Sequence, residues 1–421
     1  MDRPMLDDER PHAPVEGAAS ARTAPIHGAS PRPDAADAMR PVIRDLDTDN
    51  IADLATRAGQ IENCITLWYG EGDVVTPRFI REAATAALEA GKTFYEPNMR
   101  GWPPLTRALA DYQTRLHGRP VAVERSTVTP GGMQALALAM QMICDPGRNV
   151  VYLEPQWPNI RRIIHLNAGE PRAVPLTVTD ADLSLDMQRV KDACDARTAA
   201  IVLSTPSNPS GWTASRAELR ELLEFTRQRG LWLISDECYN RLWYGEGGSA
   251  PSIMEIAEDE DRVLTINTFS KSWAMTGWRI GWLGHPVSCA PTLGAMTQYV
   301  NSGTATFVQA GARAALIEGE GLVADIRERT RAGLDTAFDL LGGVDRVTLP
   351  QKPPGGMYAF FRIEGEEDSR EACRMLLDRA GVGLAPGFMF GEASRAFLRM
   401  CVCRETAQVR EASERIAAAL R

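Results

Sequence analysis

Residues 263–283 read Val263-Leu-Thr-Ile-Asn-Thr-Phe-Ser-Lys271-Ser-Trp-Ala-Met-Thr-Gly-Trp-Arg279-Ile-Gly-Trp-Leu283. The pattern predicts an apolar strand over Val263–Asn267 and a second over Ile280–Leu283. Lys271 stands just past the first strand, and Arg279 follows eight positions later. A solvated lysine needs neither Thr268 and Ser270 before it nor Trp273, Trp278 and Ile280 after it. Lysine is also scarce. The chain has four (Lys92, Lys191, Lys271 and Lys352) among 46 basic residues, so 42 are arginine. A coding bias toward arginine accounts for the total. It leaves few groups for amine chemistry, because arginine does not lose its proton in proteins.

Outward from this segment, helices and strands alternate. Helices are predicted at Phe79–Ala90, entered through Thr76-Pro77 as cap and first-turn proline, and at Pro104–Leu116, Gln134–Ile143 and Ala214–Arg229. Strands are predicted at Thr127–Thr129, Val150–Leu153, Ala199–Ser204 and Leu231–Ser235. Strands that are apolar throughout and alternate with helices imply a mostly parallel sheet covered on both faces. Ligands then sit beyond the carboxyl ends of the strands. A long helix at Ala324–Leu341 leads to an α+β part with strands at Met357–Arg362 and Ala396–Cys401 and a helix near Arg370–Ala380. The expected organisation is a disordered tail over residues 1–40, a large domain over 77–306, and a smaller domain from 41–76 and 307–421.

Composition excludes several function classes. The 421 residues carry a net charge of −9, which argues against nucleic acid or an anionic membrane as the main partner. The first forty residues are acidic early and have no apolar core of the kind a secretory signal needs. No run is apolar enough to span a bilayer. The eight cysteines form no Cys-x-x-Cys pair and no histidine adjoins them, so neither a disulfide framework nor a metal site is expected. Free thiols fit a reducing cytoplasm.

The polar residues cluster just after the strands. Thr129-Pro-Gly-Gly-Met133 can close backbone N–H groups on an anion at a helix start, though read alone it is also an ordinary strand–helix turn. Ser204-Thr-Pro-Ser-Asn208-Pro-Ser-Gly211 can hold Asn208 rigidly, or be a proline-rich loop. In Ser235-Asp236-Glu237-Cys238-Tyr239, Asp236 follows the apolar run Leu231–Ile234 and needs a partner or a capping role to offset desolvation.

Together these segments resemble the class I/II aminotransferases, the pyridoxal phosphate (PLP) enzymes of the aspartate aminotransferase type. The Ser-Lys-x5-Gly-x-Arg-x-Gly pattern around Lys271 carries the resemblance, joined in order by the Asn-Pro and Asp-x-x-Tyr segments. The resemblance runs from about Leu67 to Cys401. It implies an α/β fold, PLP-dependent transferase fold type I, with a mostly parallel large domain and a smaller α+β domain. It implies PLP as cofactor, with Lys271 as Schiff-base lysine and proton shuttle and Asp236 paired with the pyridine nitrogen. Tyr239 and Asn208 would donate to the 3′ oxygen, and Trp157 would stack on the ring. Phosphate would be held by Gly131, Gly132, Met133, Thr268, Ser270 and Arg279, and Tyr95 would reach the phosphate of a partner subunit in a homodimer. Gly70 and Arg399 would meet the substrate carboxylate. Proline usually stands where this chain has Gly72, and Gly101 follows Tyr95 with a one-residue insertion. Gly355–Tyr358 and Pro386–Gly391 read as structural and substrate-flanking.

The expected reaction is transfer of an amino group between an L-amino acid and a 2-oxo acid in the cytoplasm, with no nucleic-acid or membrane partner. The alternative is another PLP outcome on an amino-acid-like substrate: elimination or replacement, decarboxylation, or cyclisation. Arg100 could meet an acidic side chain in a partner's site, or be an exposed arginine.

Overall fold

A computed structural model of the chain describes residues 34–46, 51–178 and 183–421. It contains two compact units, Met1–Leu46 and Asp47–Arg421. The described part of the first has a 3-10 turn at Ala35–Ala38, capped by the Asp34 side chain, and a single helical turn at Pro41–Arg44. The tail expected over residues 1–40 lies outside the described residues as far as residue 33.

In the second unit, seven strands form one sheet: β1 (Ser126–Thr129), β2 (Asn149–Glu154), β3 (Glu170–Pro175), β4 (Thr198–Ser204), β5 (Trp232–Asp236), β6 (Val263–Thr268) and β7 (Gly281–Gly284). Their order is β1-β7-β6-β5-β4-β2-β3. Only β7 runs antiparallel to its neighbours; the other pairs are parallel. Successive residues of a strand face opposite sides. Val150, Tyr152, Ala200, Val202 and Ile234 therefore pack toward the helix Gly132–Ile143. Val151, Leu153, Ile201, Leu203 and Leu233 pack toward Leu219, Leu222 and Leu223 of the helix Arg216–Arg229. Burial on both faces is why these strands read as unbroken apolar runs. The helix Arg216–Arg229 starts later than its expected Ala214, at a capping box in which Ser215 and Glu218 satisfy each other's backbone N–H. Such a cap contributes about 1 kcal/mol.

A second, antiparallel sheet has the order β8-β9-β11-β10, from β8 (Val347–Thr348), β9 (Tyr358–Ile363), β10 (Ala385–Pro386) and β11 (Phe397–Cys401). Leu398 and Met400 of β11 share an apolar core with Leu334 of the helix Glu320–Leu341, Leu376 of Ser369–Ala380 and Ile416 of Thr406–Leu420.

Three sequence expectations need correction. The helix expected at Phe79–Ala90 is Arg78–Glu89, with Pro77, not Thr76, at its N-cap position. Thr76 Oγ1 instead donates to the Ala274 carbonyl and accepts from Trp278 Nε1 at 3.0 Å, so it ties down the loop that follows Lys271. β3 was not anticipated, because two prolines break its apolar pattern; it sits at the sheet edge, where missing N–H donors are tolerated. The helices Ala290–Val300 and Thr306–Glu318 were also missed. All eight cysteines are free, and no described helix is long and apolar enough to cross a membrane.

Candidate functional site

Strand register sets the site. Ser204 at the end of β4 pairs with Asp236 of β5, and Asp236 pairs with Ile266 of β6. Gly281 of β7 lies between Thr129 of β1 and Thr268 of β6. The segments after β1, β4, β5 and β6 therefore open onto one cavity of about 710 Å³. Its lining includes Gly70, Gly132, Met133, Trp157, Asn208, Asp236, Tyr239, Thr268, Ser270, Lys271, Arg279 and Arg399. Of the expected site residues, Gly131 lies behind this surface and Tyr95 lies apart from it, 80% exposed.

Lys271 is the half-buried amine of the cavity. Its Nζ donates to the Gly70 carbonyl and lies 5.9 Å from the centre of the Tyr239 ring. Burial lowers its pKa from the ordinary lysine value. Asp236 is 4% exposed. Its Oδ1 accepts from the Cys238 backbone N–H at 3.2 Å, and it forms no ion pair with a basic side chain among the described residues. Burial raises its pKa; the contact with Cys238 and the charge of Lys271 oppose that rise. A carboxylate held this way has unused acceptor capacity facing the cavity.

The anion-holding corner is built from backbone and hydroxyls. Gly131 has φ +85° and precedes the helix Gly132–Ile143, whose first N–H groups have no side-chain cap. A β-carbon on Gly131 would come within 2.6 Å of Arg279 Nη2, so glycine lets the guanidinium close against the turn. Arg279 itself has φ 51°, an unfavourable conformation for a side chain of its kind, and donates to the Thr276 carbonyl at 2.8 Å. Thr268 Oγ1 bonds Ser270 Oγ at 2.8 Å and accepts from the Ser270 backbone N–H at 3.1 Å.

At the other end, Arg399 lies on β11, 6% exposed. Its guanidinium carbon is 4.3 Å from the Tyr358 ring centre and 4.7 Å from that of Phe390. Nη1 donates to Asn208 Oδ1 at 2.7 Å and Nη2 to the Trp68 carbonyl, while the buried Nε has no partner. This is a planar cation with an open donor, suited to a carboxylate. Because Asn208 spends its oxygen on Arg399, its amide NH2 remains as a donor.

Tyr358 was read from the sequence as structural and substrate-flanking. The structure brings it into the cavity, with its hydroxyl 3.0 Å from that of Tyr239. A β-carbon on Gly70 would fall 2.1 Å from that same hydroxyl, which explains the glycine. Ile51, Ala52, Ala55 and Trp68 also line the cavity and were not anticipated, and Met389 and Phe390 line it from the segment read as substrate-flanking. Arg100 is committed elsewhere: its Nη1 faces the Glu124 and Ser126 carbonyls at 3.4 and 3.3 Å.

Behind Asp236, the buried Glu237 accepts from Ser235 Oγ, Ser252 Oγ and the Ile253 N–H at 3.0, 2.7 and 3.2 Å. Burial outweighs these bonds and lifts its pKa from 4.5 to about 7. Between those values the folded chain keeps a proton that the unfolded chain has released. This contribution to stability is fully present below about pH 4.5 and lost as pH rises through about 7. In Glu237→Gln, a thermal-midpoint series over that window is expected to lose a fall on the order of 3 °C. An unchanged slope would assign the titration to other groups.

Comparison with known proteins places this site in context. The family model for aminotransferase class I and II matches residues 63–416. A probable aspartate/prephenate aminotransferase from Aquifex aeolicus is 32% identical over 83% of this chain and 89% of its own length. An arginine–pyruvate transaminase from Pseudomonas aeruginosa is 32% identical over 86% of this chain and 91% of its own. Among solved structures, an aspartate aminotransferase from Rhizobium meliloti superposes with a TM-score of 0.83 at 28% identity, covering 91% of this chain and 98% of that one.

Proposed function

The chain belongs to the class I and II aminotransferases, and from that premise we propose how its own residues carry out PLP-dependent amino transfer between an amino acid and a 2-oxo acid. When bound, PLP supplies an aldehyde that captures amines and a cationic ring that draws electrons away from the substrate Cα. The residues present fit that group. A half-buried amine, a buried carboxylate with no basic partner among the described residues and an uncapped helix start beside Arg279 share one cavity.

In this reading Lys271 Nζ is the amine that bonds the cofactor. Burial lowers its pKa, so more of it is neutral near pH 7 than an exposed lysine would be. Once freed by the substrate amine, Nζ would carry the proton from the substrate Cα to the carbon that bore the cofactor's aldehyde, over a short path because Nζ stays inside the cavity. Asp236 supplies the anion that holds a proton on the ring nitrogen. Tyr239 Oη and the free NH2 of Asn208 donate to the ring oxygen, and Tyr358 orients Tyr239 through their 3.0 Å contact. Trp157 covers the ring. The N–H groups at Gly132 and Met133, the Thr268 and Ser270 hydroxyls and Arg279 would hold the phosphate, while Gly131, whose N–H is spent on the Thr129 carbonyl at 2.7 Å, shapes the turn. Arg399 supplies the cation that meets the substrate carboxylate, and Gly70 leaves room beside it.

The observation that carries this reading is Lys271, half-buried and with no carboxylate ion-pair partner among the described residues, in one cavity with Asp236 and Arg399. Incubation with paired amino and oxo acids, followed by mass spectrometry, is expected to give the matched oxo acid and amino acid in equal amounts. An elimination or decarboxylation product as the sole outcome would overturn the assignment of the reaction.

We read the working form as a cytoplasmic homodimer. Phe94, Tyr95 and Tyr299 are 84, 80 and 84% exposed, an unusual display of aromatic surface that a second copy would cover. Tyr95 would then serve the neighbour's phosphate. Dilution monitored by light scattering and turnover is expected to lose activity as dimers separate; fully active monomers would contradict this role.

A further inference from the structure

The substrate-carboxylate end of the cavity is apolar beyond Arg399. Ile51, Ala52 and Ala55 stand on one short stretch at the start of the helix Ala52–Ala58, and with Trp68, Met389 and Phe390 they line the cavity beside the arginine. Ile51, Ala55 and Met389 pack against the same apolar core that contains Trp68 and Phe390. The wall is therefore backed by the core rather than by polar groups. The cations lining the cavity are Lys271, Arg279 and Arg399. The reading above assigns each of them: to the cofactor bond, the phosphate and the substrate α-carboxylate. The acidic Glu71 also lines the cavity and would repel a second substrate carboxylate.

A second copy does not obviously add a cation. Arg100 is turned into its own chain by the Glu124 and Ser126 carbonyls. The stretch Tyr299–Thr306 reads Tyr-Val-Asn-Ser-Gly-Thr-Ala-Thr and carries no basic residue.

We infer that this aminotransferase takes amino acids with uncharged, apolar side chains of leucine, methionine or phenylalanine size, and rejects the acidic ones. The inference rests on the reading of Arg399 and Lys271 given above. A buried carboxylate without a partner is strongly disfavoured, whereas each methylene seated in an apolar pocket is worth about tenfold or more in discrimination. Ala52 and Ala55 are small, and the space in front of them would take the end of the side chain.

Calorimetric titration of the holoenzyme with carboxylic acids that lack an amine tests this without turnover. The probes are 4-methylpentanoate, 3-phenylpropanoate, butanoate and succinate. The two larger apolar acids are expected to bind at least tenfold tighter than succinate. Ala55→Phe is expected to weaken 3-phenylpropanoate at least tenfold while changing butanoate less than threefold. With amino acids, kcat/KM for leucine, methionine or phenylalanine should exceed that for aspartate and glutamate at least tenfold. Succinate binding as tightly as the apolar acids, or none of the acids binding, would overturn the inference. So would an unchanged 3-phenylpropanoate affinity in a folded Ala55→Phe. Should that variant fail to fold, the wild-type comparison decides alone. The cofactor's visible absorption, recorded before each titration, separates these outcomes from failure of the PLP reading, in which no such absorption appears.

Discussion

Replacing Lys271 with alanine is expected to lower kcat by at least about 10⁴-fold while the protein stays folded. The variant removes both the amine that bonds the cofactor and the base that moves the Cα proton, and general acid–base action alone accounts for about 10²–10⁴. Lys271→Arg is expected to fail nearly as badly. It keeps a positive charge and a donor for the Gly70 carbonyl, but a guanidinium neither gives up its proton nor condenses with an aldehyde. The check beside turnover is chemical. Borohydride should fix the cofactor's mass on the peptide containing Lys271 in the wild type and on no peptide of either variant. The other lysines are poor competitors: Lys191 pairs with Glu221 and Lys352 with Asp335, both at 2.8 Å or less, and Lys92 is exposed. A label on any of them, or Lys271→Ala with more than about 1% of wild-type turnover, would remove Lys271 from its place in the mechanism.

The features legible in the sequence were those that one strand and the loop after it encode. Asp236 ends a strand, and Lys271, Asn208 and the Gly131-Gly132 turn stand within about four residues after one, so finding the strand places the residue. Tyr358 was read only as structural and substrate-flanking, because nothing near it in the chain marks its contact with Tyr239. Its meaning comes from Tyr239, 119 positions away, and from Arg399, two residues before its register partner Cys401 on β11. The apolar wall from Ile51 to Ala55 was invisible for a related reason: a short apolar stretch looks the same whether it faces a core or a cavity, and here it does both. The helix Thr306–Glu318 went unseen because Gly311, Ala312, Ala314 and Ala315 are all buried, and small residues packed around much of a helix leave no amphipathic stripe to read. Thr76 was mistaken for a cap because Thr-Pro is a good helix start. The competing partners, Ala274 and Trp278, lie about 200 residues on.

Asp236→Asn should separate ring activation from cofactor attachment. Asparagine has nearly the same shape and can still accept from the Cys238 N–H through its amide oxygen, so the fold is expected to hold. It carries no charge, and a neutral amide cannot keep a proton on the ring nitrogen. Without that proton the ring draws electrons weakly and removal of the Cα proton becomes the slow step. A kcat loss on the order of 10²–10⁴ is expected, with a primary isotope effect from Cα-deuterated substrate larger than in the wild type. The borohydride label on Lys271 should survive, because bonding an aldehyde does not depend on the ring nitrogen. That pattern, attachment kept and proton transfer lost, is the reverse of what Lys271→Ala predicts for attachment. Burial of Asp236 gives the argument its force. Its pKa is raised and no basic side chain among the described residues pairs with it, so the buried carboxylate is costly by itself and becomes favourable when a cation meets it. If Asp236→Asn turns over within tenfold of wild type, that cost has some other purpose and the ring nitrogen needs no anion here.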